Sequence, residues 1–475
     1  FPALALLITL YRLLSDTEDG LFLSHALPSR HLTARSSSMV SSADLLLAPG
    51  TPSSTPAPEA ALESPAWPVN ILGVTFDPLT LAGAADRIER MVTERQPRYV
   101  VTPNVDFLVQ AQRDPELHQI LGQAHLVLCD GKPLVWASHW LGNRLPGRVA
   151  GSDLAPLLLE RAERNRWKIF LLGGAAGVAA EAARRLNERH PGLPEVQHYS
   201  PPYAPLERMD HAEIVHRIRA VEPDLVLVCF GCPKQEKWIF RHHRDVGAPV
   251  MIGAGGTVDF LADRLKRAPH WMRRTGTEWL FRLWQEPRRL FRRYADDVVR
   301  FFPALLAQRR QLPTTTVDHD AETTISQCTS TSYGLRIQAA GGLQNAALRR
   351  GPEDWAKLLQ RSEISGHCVV DLADVRAIDS TGLAFLAHWQ RRLAGARRNL
   401  ILLRPSRAVR SALAELHLTD HFIIAEDGPA RSEVGTGTLP VRFDSADPRA
   451  RTRGPRVPTF DQSPSRLSQK GAVEK

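Results

Sequence analysis

Five polar clusters each follow a short β-branched or aliphatic run. Thr102-Pro103-Asn104-Val105-Asp106 comes after Tyr99–Val101, and Asp130-Gly131 after Leu126–Cys129. Gly173-Gly174-Ala175-Ala176-Gly177 comes after Ile169–Leu172, and Gly231-Cys232-Pro233-Lys234-Gln235-Glu236 after Leu225–Cys229. Gly253-Ala254-Gly255-Gly256-Thr257-Val258-Asp259 comes last, after Val250–Ile252. A positioned carboxylate can take the proton of an attacking hydroxyl. Bare glycine N–H groups ahead of a helix attract phosphate, which suits a nucleotide diphosphate. Each cluster alone has a plainer reading: Asn104 or Asp130 can cap a helix, and the glycines can make tight turns. Five at successive strand ends point to one site.

Two other chemistries fit less well. A dinucleotide-dependent oxidoreductase wants G-x-G-x-x-G, whereas Gly173 opens G-G-x-x-G and the stretch from Gly253 lacks the last glycine. Cys229-Phe230-Gly231-Cys232 is formally C-x-x-C, but no second pair completes a zinc site. His242 and His243 are adjacent on an expected helix and point to different faces, so no metal is expected.

The runs preceding the clusters, with Asn70–Val74, read as strands. Helices are expected near 80–94, 104–121, 132–141, 152–165, 176–190, 209–221, 233–244 and 277–309. The alternation predicts an α/β fold, a Rossmann-like, mostly parallel sheet with helices on both faces. Ligands of such sheets bind at the C-terminal strand ends, where the clusters fall. The Ser/Ala/Pro-rich residues 1–66 read as a disordered or wrongly placed extension, since the sequence opens on Phe1. Residues 312–333 read as a Thr/Ser-rich linker, 334–428 as a small second α/β unit, and 429–475 as a disordered tail. Its strands are expected at Gly334–Gln338, Cys368–Leu372 and Leu400–Leu403. Five cysteines in 475 residues argue against a disulfide scaffold and fit a reducing cytosol. No apolar run reaches membrane-spanning length, and Phe1–Leu14 lacks the marks of a secretory signal.

The excess of Lys and Arg over acids between Arg264 and Arg310 equals the net charge of the whole chain, +9. Aromatic residues run through this stretch, from Trp271 to Phe302. Beyond Pro287, Leu290 or Phe291, Tyr294, Val298, Phe301 or Phe302, and Leu305 share a helical face, with Arg289, Arg293 and Arg300 beside it. Such a helix suits a membrane interface or a place on the catalytic core, and the two can coexist. No nucleic-acid-binding module accompanies the charge.

The ordered motifs Thr102–Asp106, Asp130-Gly131, Gly151-Ser152-Asp153, Gly231–Glu236, Lys266-Arg267-Ala268-Pro269, Glu278-Trp279 and Glu286-Pro287-Arg288-Arg289 resemble the TagA/WecG/CpsF family of glycosyltransferases over about Val69 to Gln311. The resemblance implies inverting sugar transfer from a nucleotide diphosphate, without a metal or other cofactor. The implied acceptor is a polyprenyl-diphosphate-linked sugar on the cytoplasmic membrane face. It makes Asp130 the base and Thr102, Asn104 and Gln235 pocket residues. By position, Gly131, Gly173, Gly174, Glu236, Gly255 and Asp259 are substrate-binding candidates. Lys266 and Arg267 are candidates to hold the departing diphosphate, and Arg282, Arg289 and Arg293 to meet diphosphate or membrane.

Cys368–Leu383, with Asp379-Ser380-Thr381-Gly382 inside it, resembles the STAS domain of anti-sigma-factor antagonists. That resemblance implies a phosphate acceptor at Thr381, or at its neighbour Ser380, and a protein partner or kinase. The alternative is a constitutive docking module whose Asp379 and Ser380 simply cap a helix. The expectation is a cytoplasmic, peripheral membrane glycosyltransferase with a STAS regulatory domain. The competing readings are a STAS-centred interaction protein with an inactive nucleotide-sugar-binding domain, and an oxidoreductase.

Overall fold

The computed structural model describes residues 67–269, 277–312, 324–331, 334–344, 367–395 and 398–426, with Met272, Leu348, Leu358 and Leu359 between them. The expected N-terminal extension, the tail and much of the expected linker lie outside the described residues.

The chain enters through a hairpin, β1 (Val69–Ile71) and β2 (Val74–Phe76), where sequence alone predicts one strand. Leu72 and Gly73 both take positive φ, the two-residue turn that suits the strand twist. Asn70 fixes it, its Oδ1 accepting from the Gly73 N–H at 3.0 Å. The main sheet comprises β3 (Arg98–Val101), β4 (Leu126–Val127), β5 (Ile169–Gly173), β6 (Gln197–Tyr199), β7 (Leu225–Cys229) and β8 (Val250–Gly253). Its order is β4-β3-β8-β7-β5-β6, parallel throughout. The central strands are buried on both faces, which is why they read as unbroken apolar runs such as Leu225-Val-Leu-Val-Cys229. One apolar cluster packs on each side of the sheet. β6 was not expected, because an edge strand of Gln, His and Tyr carries no apolar alternation.

The expected helix over 104–121 is two, Val105–Ala111 and Pro115–Gln123. Asp114 caps the second through the Leu117 N–H at 3.1 Å, and Pro115 starts it. Within the expected 277–309 stretch Pro287 opens a new helix, as its fit to a first helical turn suggests, giving Glu278–Gln285 and Pro287–Gln311.

The second sheet runs β13-β12-β11-β10-β9. It comprises β9 (Thr324–Thr331), β10 (Gly334–Leu343), β11 (His367–Ile378), β12 (Leu400–Leu403) and β13 (Ile423–Ala425). β9 occupies part of the expected linker and pairs antiparallel with β10; the other pairs are parallel. The helix Ser380–Gly395 packs on this sheet and on the β1–β2 hairpin. Trp67 and Leu312, which flank the first α/β unit, lie in the apolar core of the second. The Trp67 and Phe385 rings meet edge to face at 5.4 Å. Burying a side chain of this size is worth about 1.5–3 kcal/mol.

Candidate active site

A cavity of about 1270 Å³ opens at the C-terminal edge of the main sheet, and the segments after all six strands reach it. Thr102 and Asn104 follow β3, and Asp130 and Gly131 follow β4. Gly173 and Gly174 come from β5, Ser200–Tyr203 from β6, Phe230–Cys232 with Gln235 from β7, and Gly255 with Asp259 from β8. The basic C-terminal helices close the far side with Glu278, Arg282, Arg293 and Asp297.

Asp130 hangs on short backbone ties. Its N–H donates to the Pro103 carbonyl at 3.0 Å, and the Leu128 N–H donates to the Val101 carbonyl at 2.9 Å. Burial pushes its carboxyl up to about 6, with Arg148 and Arg282 pulling down against it and Glu278 and Asp153 adding to the rise. It does not cap the helix Lys132–Trp140; Gly131 stands at that cap with φ 144° and no side-chain bond. Asn104 does cap, accepting from the Phe107 N–H at 3.3 Å, while still lining the cavity.

Arg148, which the sequence did not single out, holds the front of the site together. Its Nη1 donates to Glu278 at 2.6 Å and its Nη2 to Asp153 at 2.5 Å. It thus joins the core to the C-terminal helices beside Asp130. Across the cavity Arg293 meets Asp106 at 2.8 Å. Burial raises Asp297 to about 7, with Asp106 adding to the rise and Arg293 opposing it. Arg282 lies over the Phe260 ring at 5.3 Å.

Several expected site residues have other employment. Gln235 lines the cavity, but its Oε1 accepts from the N–H groups of Gly231 and Gly255, both at 3.1 Å, so it ties two loops together. Glu236 sits behind it, fully buried, accepting from Gln235 Nε2 at 2.7 Å, and burial raises its carboxyl to about 7. Gly173 must be glycine: φ is +100°, and a Cβ there would meet the Phe230 ring at 2.8 Å. Lys266 is exposed and outside the cavity lining. Arg267 is also outside the lining; its Nη2 donates to Asp153, at 2.5 Å, and to Ser152, which does line the cavity, at 3.1 Å. Charge alone could not say which basic residues face inward. Arg289 lies on the helix Pro287–Gln311, and its side chain is outside the described part.

Ser380 and Thr381 are both buried where the helix Ser380–Gly395 meets the first unit. Gln308 Nε2 donates to Ser380 Oγ at 3.1 Å. Asp379, rather than Ser380, caps the helix, accepting from the Thr381 and Gly382 N–H groups at 2.9 Å. Both hydroxyls are covered in this arrangement.

The C-terminal helices bury Leu290, Phe301 and Leu305 inward and leave Trp284, Phe291, Val299 and Leu306 exposed. No helix among the described residues is long and apolar enough to cross a membrane.

A parallel sheet with a cavity at its C-terminal edge, lined by carboxylates, glycines and arginines, places a ligand site where such sheets carry theirs. Residues 69–315 match the glycosyl transferase WecG/TagA/CpsF family, and the chain belongs to it: it is a glycosyltransferase. Residues 329–425 match the MlaB-type STAS domain. An N-acetylglucosaminyldiphosphoundecaprenol N-acetyl-beta-D-mannosaminyltransferase of Staphylococcus aureus strain MW2 is 32% identical over 226 residues, 47% of this chain and 87% of that protein. The protein of the same description from strain NCTC 8325 / PS 47 is 33% identical over 216 residues, 45% of this chain and 83% of its own length.

Proposed function

We propose that this chain moves an N-acetylmannosamine-type hexose from a UDP-sugar to a polyprenyl-diphosphate-linked sugar, with inversion, at the cytoplasmic face of the membrane. The product would feed cell-surface polysaccharide assembly. The observation that carries the reading is Asp130, a carboxyl raised to about 6 in the lining of a cavity that also holds Arg148 and Arg282. The relatives' printed acceptor, a sugar on undecaprenol diphosphate, supports the substrate class.

In this mechanism the acceptor hydroxyl oxygen attacks the anomeric carbon as Asp130 takes its proton. The bond from that carbon to the diphosphate oxygen breaks, and the electron pair leaves with UDP. The glycine turns after β5 and β8 carry no side chain, which lets the diphosphate approach the backbone closely. Arg282 and Arg293 offset the charge that builds on it. Exposed Trp284 and Phe291, among arginines, suit contact with an anionic membrane surface.

The full chain with vesicles carrying polyprenyl-diphosphate-linked N-acetylglucosamine, offered a panel of UDP-sugars, tests this. Acceptor-dependent UDP release with one hexosamine donor is expected. Release indifferent to the acceptor, or no release with any donor, overturns the substrate assignment.

A further inference from the structure

The STAS domain touches the glycosyltransferase in several places, and two of them lead into its active site. The first is Asp77, just after β2. Its Oδ2 accepts from the Val127 N–H at 2.8 Å, and its own N–H donates to the Val127 carbonyl at 2.9 Å. Val127 ends β4, three residues before Asp130. Asp77 Oδ1 accepts from the STAS helix: Arg391 Nη2 at 2.9 Å and His388 Nδ1 at 3.2 Å. Asp77 and Arg391 are both nearly solvent-free. A buried carboxylate without its cation is strongly unfavourable, so Asp77 holds its β4 geometry only while the STAS helix is seated.

The second point is Gln308, 2% exposed, near the end of the long C-terminal helix. Its Nε2 donates to the Asn70 carbonyl at 2.9 Å and to Ser380 Oγ at 3.1 Å, while its Oε1 accepts from the Leu72 N–H at 2.8 Å. The same helix carries Arg293 and Asp297 into the cavity. The hairpin, the helix Pro287–Gln311 that closes one side of the cavity (the lid helix) and the STAS helix Ser380–Gly395 therefore share one buried amide. A fully satisfied buried network of this kind fixes a unique arrangement, and losing one member leaves the rest unpaired.

We propose that the STAS domain supplies positioning residues to the transferase site in cis: Arg391 and His388 set the β4–Asp130 strand through Asp77, and Ser380 sets the lid helix through Gln308. The hydroxyl face around Ser380 is then an internal docking surface, and whatever competes for it withdraws support from the site. The proposal rests on the transferase reading above.

The test uses the full chain with Arg391→Met and Gln308→Leu, each cutting one tie. For each, kcat is expected to fall about tenfold, with the KM for the UDP-sugar moving less than twofold. Amide exchange should quicken at Leu128–Gly131 in Arg391→Met and along 299–311 in Gln308→Leu. Arg391→Lys, which keeps the cation, should recover most of the kcat. Faster exchange at these segments with wild-type kcat would overturn the proposal. So would a kcat loss that Arg391→Lys does not relieve, with exchange rising evenly across the chain. Exchange needs no turnover: if the wild-type chain transfers no sugar, the substrate assignment fails, and the coupling still stands or falls on Leu128–Gly131 alone.

Discussion

Asp77, bonded to Val127, and Asp130, three residues further along the chain, show two uses of a carboxyl at the end of one short strand. Burial pushes both up. At Asp77, on the side facing the STAS helix, Arg391 and His388 outweigh burial, and the carboxyl ends below its ordinary 3.8. At Asp130, facing the cavity, Arg148 and Arg282 do not close the gap, and it stands at about 6. Arg148 is already committed to Asp153 and Glu278, at 2.5 and 2.6 Å. The first environment completes its charge pair and serves the fold. The second leaves a charge uncompensated, as a proton acceptor near neutral pH requires.

Removing each charge in turn breaks this comparison most directly. Asp130→Asn should cost about 10²–10⁴-fold in kcat, the usual worth of a general base. The fold should survive and gain on the order of 1 kcal/mol at pH 7, screening included, because a carboxyl with a raised pKa destabilises the native state once ionised. Asp77→Ala should cost about 3–5 kcal/mol of stability by orphaning Arg391, as read from denaturant midpoints. If Asp130→Asn retains wild-type turnover, or Asp77→Ala unfolds at the wild-type midpoint, the contrast between the two carboxyls is wrong.

The acid side of the pH profile sharpens the same contrast. Asp130 must be ionised to accept a proton, so kcat should fall as pH drops through about 6. The linkage signs are opposite. Asp77 has a depressed pKa, so its stabilisation is present above 3.8 and is lost as pH falls through its lower folded value. Asp130 has a raised pKa, so stability declines as pH rises from about 3.8 to about 6. At pH 5 the chain should therefore be folded and slow. Turnover lost only where the fold itself is lost would remove Asp130 from the role of base.

The cavity was more legible in sequence than the contact behind it, for physical reasons. Glycines and polar residues after apolar runs mark strand ends locally, so Thr102, Asn104, Asp130 and Gly173 could be placed before any fold was known. Arg148 escaped because its partners Asp153 and Glu278 are 5 and 130 residues away, and no spacing rule joins them. Lys266 and Arg267 were read as facing the diphosphate because sequence supplies sign but not direction; one is exposed and the other is held by Asp153. Asp77 gave no signal, since a carboxylate after a strand looks like any turn residue. Its meaning comes from Arg391, 314 residues later. The hairpin at Leu72-Gly73 was missed because its turn interrupts an otherwise continuous apolar run.

The smallest expected effect concerns the outer surface of the lid. Leu290, Phe301 and Leu305 face inward, and Trp284, at 78% exposure, and Phe291, at 43%, face out. Trp284→Ala with Phe291→Ala should leave thermal stability within about 0.5 kcal/mol, as exposed positions usually do. Turnover on a short, water-soluble prenyl acceptor should also be unchanged, because neither side chain supports Arg293 or Asp130. Binding to anionic vesicles should weaken several-fold, since an aromatic ring among arginines supplies the apolar half of interfacial attachment. The inward face then serves the cavity and the outward face the membrane. If the double variant loses soluble-acceptor turnover while its vesicle binding holds, both faces of the lid serve the chemistry, and the division fails.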